Sequence, residues 1–502
     1  MTESSAGRRS ALDGLRQWAE RDPGRAALVD THTSITFGDL LPLVEATSTA
    51  ARAALADAEP GAFLPVLVDR SAPSAAAVLS CLVGRVPFFP VDVTASPQLM
   101  QQLMRRAGDP GCYLSVVPGF DGIDDAVAVV VGADEPSAHL PLPSPDSDAP
   151  AVVIFSSGST GAPKGIVLSR VTMERRWRSR DLLADELGDD RREPLLTPLD
   201  SAWGLNLLAD VASGFTLRIV DVARMRPVDF LREMADFEPT AMAIPSQLGR
   251  LLAQLPPTSV VPLPSLRRVN IGSEGFRYEY VRGLSGVFSS DTVIVHSLAS
   301  SEGGREIANA FPLRDAPSEG VVHLGRIIFP DNTRLVPVDG MEPGVVEVHM
   351  SGAIASGYLD DPDLTAARFY EDADGRRWWR SGDLVRADAD GRYLHHGRMD
   401  DVVKVGGKLA SPSDVTAVLM AIDGITAAIT VPVVTGGNTR LVAHVEVSPE
   451  SAVTLPAVRA ALSARLPAHA VPTAVMRHAA LPVNARGKVD RRALADGPFE
   501  RW

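Results

Sequence analysis

The 502-residue chain has only two cysteines, Cys81 and Cys112, too few for a disulfide framework or a four-thiolate metal site. Both sit in apolar surroundings and read as buried small hydrophobes. Cationic excess is missing too: 49 Lys and Arg stand against 62 Asp and Glu, a net charge of −13. That balance argues against a nucleic-acid groove or an anionic membrane surface as partner, while leaving room for a local cationic pocket. No long apolar run occurs. The most apolar stretch, AAAVLSCLVGRVPFFPV, is broken by Arg85, Pro87 and Pro90, so no helix there spans a bilayer. The opening residues, MTESSAGRRSALDG, lack a signal peptide's apolar core, and the expected location is cytoplasmic. Internal repeats, HExxH zinc motifs and GxSxG nucleophile elbows are absent.

What remains is an ordinary globular composition, 45% hydrophobic and 22% charged. At roughly 150 residues per domain the length suggests about three units, or one large domain with subdomains plus a small one. The first part alternates helical and strand patterns. ALDGLRQWAE has helical spacing, AALVD is a short strand, and Thr36 opens a long amphipathic helix. The strand FLPVLVD, a helix through SAAAVLSCLVG and the strand PFFPVDV follow. This alternation predicts an α/β architecture with parallel strands. After about residue 320, strands such as TRLVPV and GVVEVHM, with turns at Asp339-Gly340 and Asp374-Gly375, predict a β-rich subdomain. The end reads as a small α+β unit, with Ser411-Pro412 starting a helix between strand patterns.

One stretch stands out: SSGSTGAPKG, Ser156 to Gly165, follows the apolar strand AVVIF directly. Backbone N–H groups and hydroxyls turned into one concavity suit a polyphosphate, and Lys164 adds a point charge. The pattern is not GxxxxGKS/T, because Pro163 precedes the lysine; alone it fits a surface loop as well as a phosphate cradle.

Further stretches then follow in a set order: IGSEG, HSLASSE, LGRII, EPGVVEVHMSGAIASGYLDDPDLTAARF, WRSGDL, GRMDDVVKVGGK and LPVNARGKVDRRAL. With SSGSTGAPKG they resemble, from about Leu12 to Leu494, the acyl-adenylate-forming superfamily: acyl- and aryl-CoA synthetases, luciferases and the adenylation domains of non-ribosomal peptide synthetases. The texture is most similar to a free-standing peptide-synthetase-like adenylation domain. The resemblance implies a large domain over 1–399, built of α/β-layered subdomains and a β-rich one. A small mobile α+β domain over 400–502 would swing on a hinge at Asp400.

The resemblance also implies a set of site residues. Ser156, Ser157, Gly158, Ser159, Thr160 and Lys164 would hold the phosphates of ATP. Glu302 would ligate Mg²⁺, and Ser301 would touch the α-phosphate. Gly272, Ser273 and Glu274 would form the adenine-side turn with Leu298 and Ala299, which stand where the family usually has an aromatic residue and a glycine. Asp383 would accept from the ribose hydroxyls, assisted by Arg398, and Lys488 would bridge the reacting carboxylate and the α-phosphate. Gly407 would open a path for a pantetheine arm. The substrate stretch TPLDSAWGL places either Ser201 at a CoA-ligase position or Asp200 at an amino-gripping one. Asp200 as a mere helix cap is the third reading, and Trp203 lines the pocket or packs in the core. His395 and His396 lack a third ligand at useful spacing and read as structural.

The expected reaction is ATP-dependent activation of a small carboxylic acid as its acyl-AMP. Only eight residues follow Leu494, so transfer is expected in trans to a carrier-protein phosphopantetheine thiol, with CoA or an amine as the other acceptors. A degenerate, non-catalytic ATP-binding protein is the remaining alternative.

Overall fold

The computed structural model describes residues 10–56, 58–117, 127–129, 147–157, 163–184, 187–272, 276–435, 438–448, 451–482, 493–494 and 502. The chain divides into two compact units, Met1–Val321 with Met350–Trp379, and Val322–His349 with Arg380–Trp502. Among the described residues no helix is long and apolar enough to cross a membrane.

The helices of the first unit start where their caps say they should. Ser10 and Asp13 form a reciprocal capping box at the start of Ala11–Arg21. Thr36 accepts the N–H of Asp39 at the start of Phe37–Leu55, and Ser71 does the same for Ser74 at Ala72–Val83. Phe37–Leu55 and Ala72–Val83 pack on a seven-stranded sheet whose order is Gly357–Tyr358, Pro163–Ser169, Pro150–Ser157, Phe88–Asp92, Leu64–Val68, Cys112–Ser115, Val127–Val129. Leu64–Val68 is buried along its whole length, as parallel strands covered on both faces are. Around it Phe63, Leu67, Phe89, Leu103 and Tyr113 pack as one cluster.

The sheet is mixed rather than wholly parallel: Pro150–Ser157 and Pro163–Ser169 run antiparallel. The strand Ala26–Val29 belongs to another sheet, where it pairs in parallel with Thr216–Ile219. In a third, Ala241–Pro245, Arg268–Gly272 and Val293–Ser300 are parallel and Gly304–Pro312 returns antiparallel.

The second unit has the β-rich part expected after residue 320. Thr333–Pro337, Val345–Ser351 and Arg377–Ala387 lie side by side, and Tyr393–Arg398 pairs antiparallel with the last. Beyond it, Ile425–Thr435, Asn438–Val447 and Ala474–His478 form a three-stranded sheet. Helices Pro412–Met420 and Leu455–Arg465 lie on it, and Val415, Leu419, Leu441, Val445, Val458 and Leu462 build their own core. Asp400, the implied hinge position, lies inside this unit, in the turn Met399–Asp401.

The interior of the first unit also holds charge. The Arg180 guanidinium grips Asp210, with Nε 2.8 Å from Oδ1 and 3.0 Å from Oδ2. Glu193 Oε2 stands 3.9 Å from the same guanidinium. Arg268 and Arg305 act on the same group of charges. Burial outweighs these cations for Glu193 and pushes its carboxyl up to about 7. The folded chain therefore holds a proton that the unfolded chain releases in the ordinary glutamate range. That stability is fully present below about pH 4.3 and is lost as pH rises through about 7. Urea midpoints of the first unit at about pH 5 and about pH 8 should show this slope, and Glu193→Gln should flatten it.

Candidate active site

The described ends of SSGSTGAPKG belong to two antiparallel strands. Ser156 and Ser157 end one strand, Pro163 and Lys164 begin the next, and Ser156 pairs with Lys164 and Ser157 with Pro163. The tip, including Gly158, Ser159 and Thr160, lies outside the described residues. A P-loop runs from strand to helix; here two strands hold the tip and the helix Arg170–Ala184 comes only after the second. Gly165 is closely packed: a Cβ there would stand 3.0 Å from both Leu359 Cβ and Phe155 Cε1, so those side chains would have to give way.

Glu302 sits in the tight turn between Val293–Ser300 and Gly304–Pro312. Ser300 Oγ accepts the Gly303 N–H at 2.9 Å, and Gly304 takes φ +86. Arg176, buried on the helix Arg170–Ala184, clamps the turn from behind. It donates to the carbonyl oxygens of Ser301 and Glu302, each at 3.0 Å, and through Nε to that of Ala353 at 3.2 Å. The Ala355 N–H adds a 2.7 Å bond to the Glu302 carbonyl. Desolvation brings Arg176 down to about 10, against the charges of Glu306 and Glu302 that hold it up, so it stays cationic at neutral pH.

The Glu302 side chain has its own anchor: the Tyr358 hydroxyl donates to Oε1 at 3.1 Å. Burial and the Glu302 charge push the Tyr358 phenol up, which keeps it a donor. Among the described residues no group of three or more His, Cys, Asp or Glu is placed to hold a metal. A single oriented carboxylate nevertheless fits Mg²⁺, which commonly takes one or two protein carboxylates and completes its shell from phosphate and water. Tyr358 also borders an open cleft of about 650 Å³ with Asp361, Thr365, Phe369, Tyr370 and Arg377; Tyr358 to Phe369 belong to the motif stretch GYLDDPDLTAARF, whereas Tyr370 and Arg377 lie outside every motif.

The structure brings Trp203 beside Gly272, the described residue of the turn that the resemblance implies for adenine. A Cβ on Gly272 would lie 3.2 to 3.8 Å from the six-membered ring of Trp203. Leu298 is buried beside a register shift, and Ala299 is exposed. Ser273 and Glu274 lie outside the described residues. The helix cap falls to Ser201, not Asp200: its Oγ accepts the Gly204 N–H at 3.0 Å and donates to the Pro198 carbonyl at 2.6 Å. Asp200 lies within the field of Arg70, together with Asp221 and Asp92.

In the second unit Asp383 is buried, its backbone N–H donating to Ser381 Oγ at 2.8 Å. Arg398 donates from one nitrogen to Asp383 Oδ1 at 3.1 Å and from the other to the Ser381 carbonyl at 3.0 Å. His395, expected to be structural, has Nε2 3.3 Å from the same Oδ1. His396 turns elsewhere, with Nε2 3.0 Å from Asp414 Oδ2. Asp400 Oδ2 stands 3.8 Å from Arg398. Gly406 and Gly407 take φ +58 and +82 between Val403–Val405 and Lys408–Ala410, so the two-residue hairpin turn itself calls for glycine. No atom within 4 Å would oppose a Cβ on Gly407. Lys488 lies outside the described residues. The spacing of His395 gave sequence reasoning no signal of its contact; Tyr358 carried none beyond its place in GYLDDPDLTAARF, and Arg176 lies outside every motif.

Comparison with known proteins gives concordant results. The family described as AMP-binding enzyme matches residues 15–359. The probable non-canonical nonribosomal peptide synthetase CymA of Salinispora arenicola is 32% identical over 453 residues, covering 86% of this chain and 5% of that protein. Phenyloxazoline synthase MbtB of Mycobacterium tuberculosis is 30% identical over 501 residues, 95% of this chain and 34% of that protein. The chain thus spans well under half the length of either relative. Among solved structures, Klebsiella oxytoca NpsA in complex with 3-hydroxyanthranilyl-AMSN shares the fold, with a TM-score of 0.78 at 18% identity, covering 97% of this chain and 99% of that one.

The Arg176 clamp can be tested without reference to any reaction. Arg176→Met removes a donor shared by three carbonyls and leaves Glu306 without its neighbouring cation. It should lower the stability of the first unit by about 2–4 kcal/mol, read from urea denaturation. Arg176→Lys should recover only part of that, because an ammonium lacks the planar fork.

Proposed function

Because this chain belongs to the family of AMP-binding enzymes, we propose that it activates a small carboxylic acid as its acyl-AMP and then passes the acyl group to a thiol. The observation that carries this reading is the Glu302 turn, whose carboxylate is held at one oxygen by Tyr358 and whose backbone is fixed by Arg176.

In the first half-reaction a carboxylate oxygen attacks the α-phosphorus of ATP. The bond from that phosphorus to the bridging oxygen breaks, and pyrophosphate leaves with the electron pair. The demand on the protein is charge neutralisation and alignment. Ser156, Ser157, Gly158, Ser159, Thr160 and Lys164 grip the β- and γ-phosphates, and Ser301 meets the α-phosphate. Glu302 would be the protein ligand of Mg²⁺, and the ion would supply neutralisation of phosphate charge. Gly272, Ser273, Glu274, Leu298 and Ala299 surround the adenine. Asp383 takes the ribose with Arg398 beside it, and Lys488 bridges the two reacting groups.

In the second half the small domain, 400–502, turns about Asp400, and a thiol reaches the adenylate past Gly407. The sulfur bonds to the acyl carbon, the bond from that carbon to the phosphate oxygen breaks, and AMP leaves as the thiol proton is lost. The acceptor is a phosphopantetheine thiol on a carrier protein, a reading supported by the peptide-synthetase relatives. The same relatives support a role in specialised metabolism. Asp200, Ser201 and Trp203 line the acid pocket. Because Arg70 already lies in the field of Asp200, this carboxylate faces a cation before any substrate ammonium arrives. A panel of acids should therefore include aryl and acyl acids beside amino acids.

Acid-dependent exchange of pyrophosphate into ATP tests the first half directly. At least one acid should support exchange, and Lys488→Ala should reduce it about 100-fold or more, the scale of a lost charge contact in the transition state. If no acid in a broad panel supports exchange and Lys488→Ala changes nothing, the chain is a non-catalytic nucleotide binder. Offering carrier protein, CoA and amines to the activated acid then identifies the acceptor by the thioester or amide formed.

A further inference from the structure

His395 and Arg398 are three residues apart on the strand Tyr393–Arg398. On a regular strand, residues at an odd spacing point to opposite faces. Here they reach the same atom, Asp383 Oδ1, at 3.3 and 3.1 Å. The register explains how. Asp383 pairs with Arg398 and Val385 with His395, so the single residue Leu384 stands opposite two, His396 and Gly397. This is a bulge, which re-aims side chains by inserting one extra residue. Gly397 makes it possible, with φ +101 and no room for a Cβ, which would meet Ser411 Oγ and Ser413 Cβ at 2.9 Å.

The double contact has a physical consequence. Arg398 makes one bond to the carboxylate and uses its other terminal nitrogen on the Ser381 carbonyl. It therefore does not grip Asp383 in the bidentate way that fixes a carboxylate plane. One monodentate donor leaves the carboxylate free to turn about its Cβ–Cγ bond. A second donor from another direction, on the same oxygen, removes that freedom. His396, the adjacent imidazole, stands instead beside Asp414, so the two histidines are not interchangeable.

We infer that His395 is a positioning residue for Asp383: its Nε2–H holds Oδ1, together with Arg398, so that Oδ2 is the oxygen presented to the nucleotide. This rests on the reading of Asp383 as the ribose acceptor. The gain is preorganisation, in which the carboxylate is already oriented when the nucleotide arrives. It acts on ground state and transition state alike, and so on nucleotide affinity more than on turnover.

The test measures the Kd for AMP by calorimetry, and the KM for ATP and kcat by exchange. The variants are His395→Phe, His395→Gln and Asp383→Asn, each checked for an unchanged thermal transition. His395→Phe should weaken AMP and raise the KM for ATP about tenfold, with kcat changed less than about twofold. His395→Gln, which keeps an N–H donor, should return to within about threefold of the parent. The His395→Phe penalty should vanish for the 2′,3′-dideoxy nucleotide, which has no hydroxyl for Asp383 to hold; His395→Ala carries the same comparison if the phenyl variant does not fold. The inference is overturned if His395→Phe leaves AMP affinity unchanged while Asp383→Asn weakens it. A penalty equally large for the dideoxy nucleotide overturns it too. If Asp383→Asn itself leaves AMP affinity unchanged, the ribose reading fails, and the positioning inference falls with it.

Discussion

The guanidinium of Arg176 is the interaction on which the local structure around Glu302 depends. Three carbonyl oxygens from two separate stretches of chain, at Ser301, Glu302 and Ala353, converge on it. Without a donor at that point two loops would meet through like dipoles. With it, the turn at 301–303 is tied to the segment that leads to Tyr358, and the Tyr358 hydroxyl comes within 3.1 Å of the Glu302 carboxylate. The helix that supplies Arg176 follows the strand that begins at Pro163-Lys164, so one strand–helix passage carries both Lys164 and the clamp. Close packing reinforces the arrangement: a Cβ on Gly303 would lie 2.1 Å from Met350 Sδ.

Such burial has an electrostatic cost that the surroundings offset. A net charge of −13 describes the chain as a whole, yet Arg176, Arg180 and Arg305 all sit inside the first unit. Desolvation alone draws each of them down; Asp210 outweighs it for Arg180, whereas Arg305, facing Arg180 and Arg268, falls to about 10. Glu193 moves the opposite way for the same reason, since burial penalises whichever form is charged. Replacing a whole buried ion pair by apolar residues is often neutral for stability, whereas removing one partner alone is costly, so orientation is the more economical account of them. Around Glu302 the oriented groups are a turn, a carboxylate and the phenol that donates to it.

Most of the local architecture was legible from the sequence. Thr36 and Ser411 announce helices that begin one residue later, because an unpaired N–H at a helix start needs an acceptor close in sequence. Period-two apolar runs announce strands. Sheet membership was not legible: Ala26–Val29 pairs with Thr216–Ile219, almost two hundred residues on, and nothing in AALVD specifies its partner. Nor was it legible that SSGSTGAPKG runs between two antiparallel strands, since a strand entering a glycine loop looks alike whether a helix or a strand follows. At 200–201 the cap falls to Ser201, a one-residue distinction that composition cannot make.

The sequence by itself determined the ordered motifs, and with them the family and its nucleotide chemistry, because that information resides in residue types at fixed spacing. It also determined the α/β succession, through local periodicity and capping. Only the tertiary structure decided which groups hold the candidate carboxylates. Arg176 and Tyr358 come to Glu302 from distant segments, and no spacing rule links them. His395 reaches Asp383 because a bulge at Gly397 reverses the face that strand periodicity assigns. The physical reason is common to both cases: a side chain's direction is set by backbone register and packing, which depend on contacts far apart along the chain.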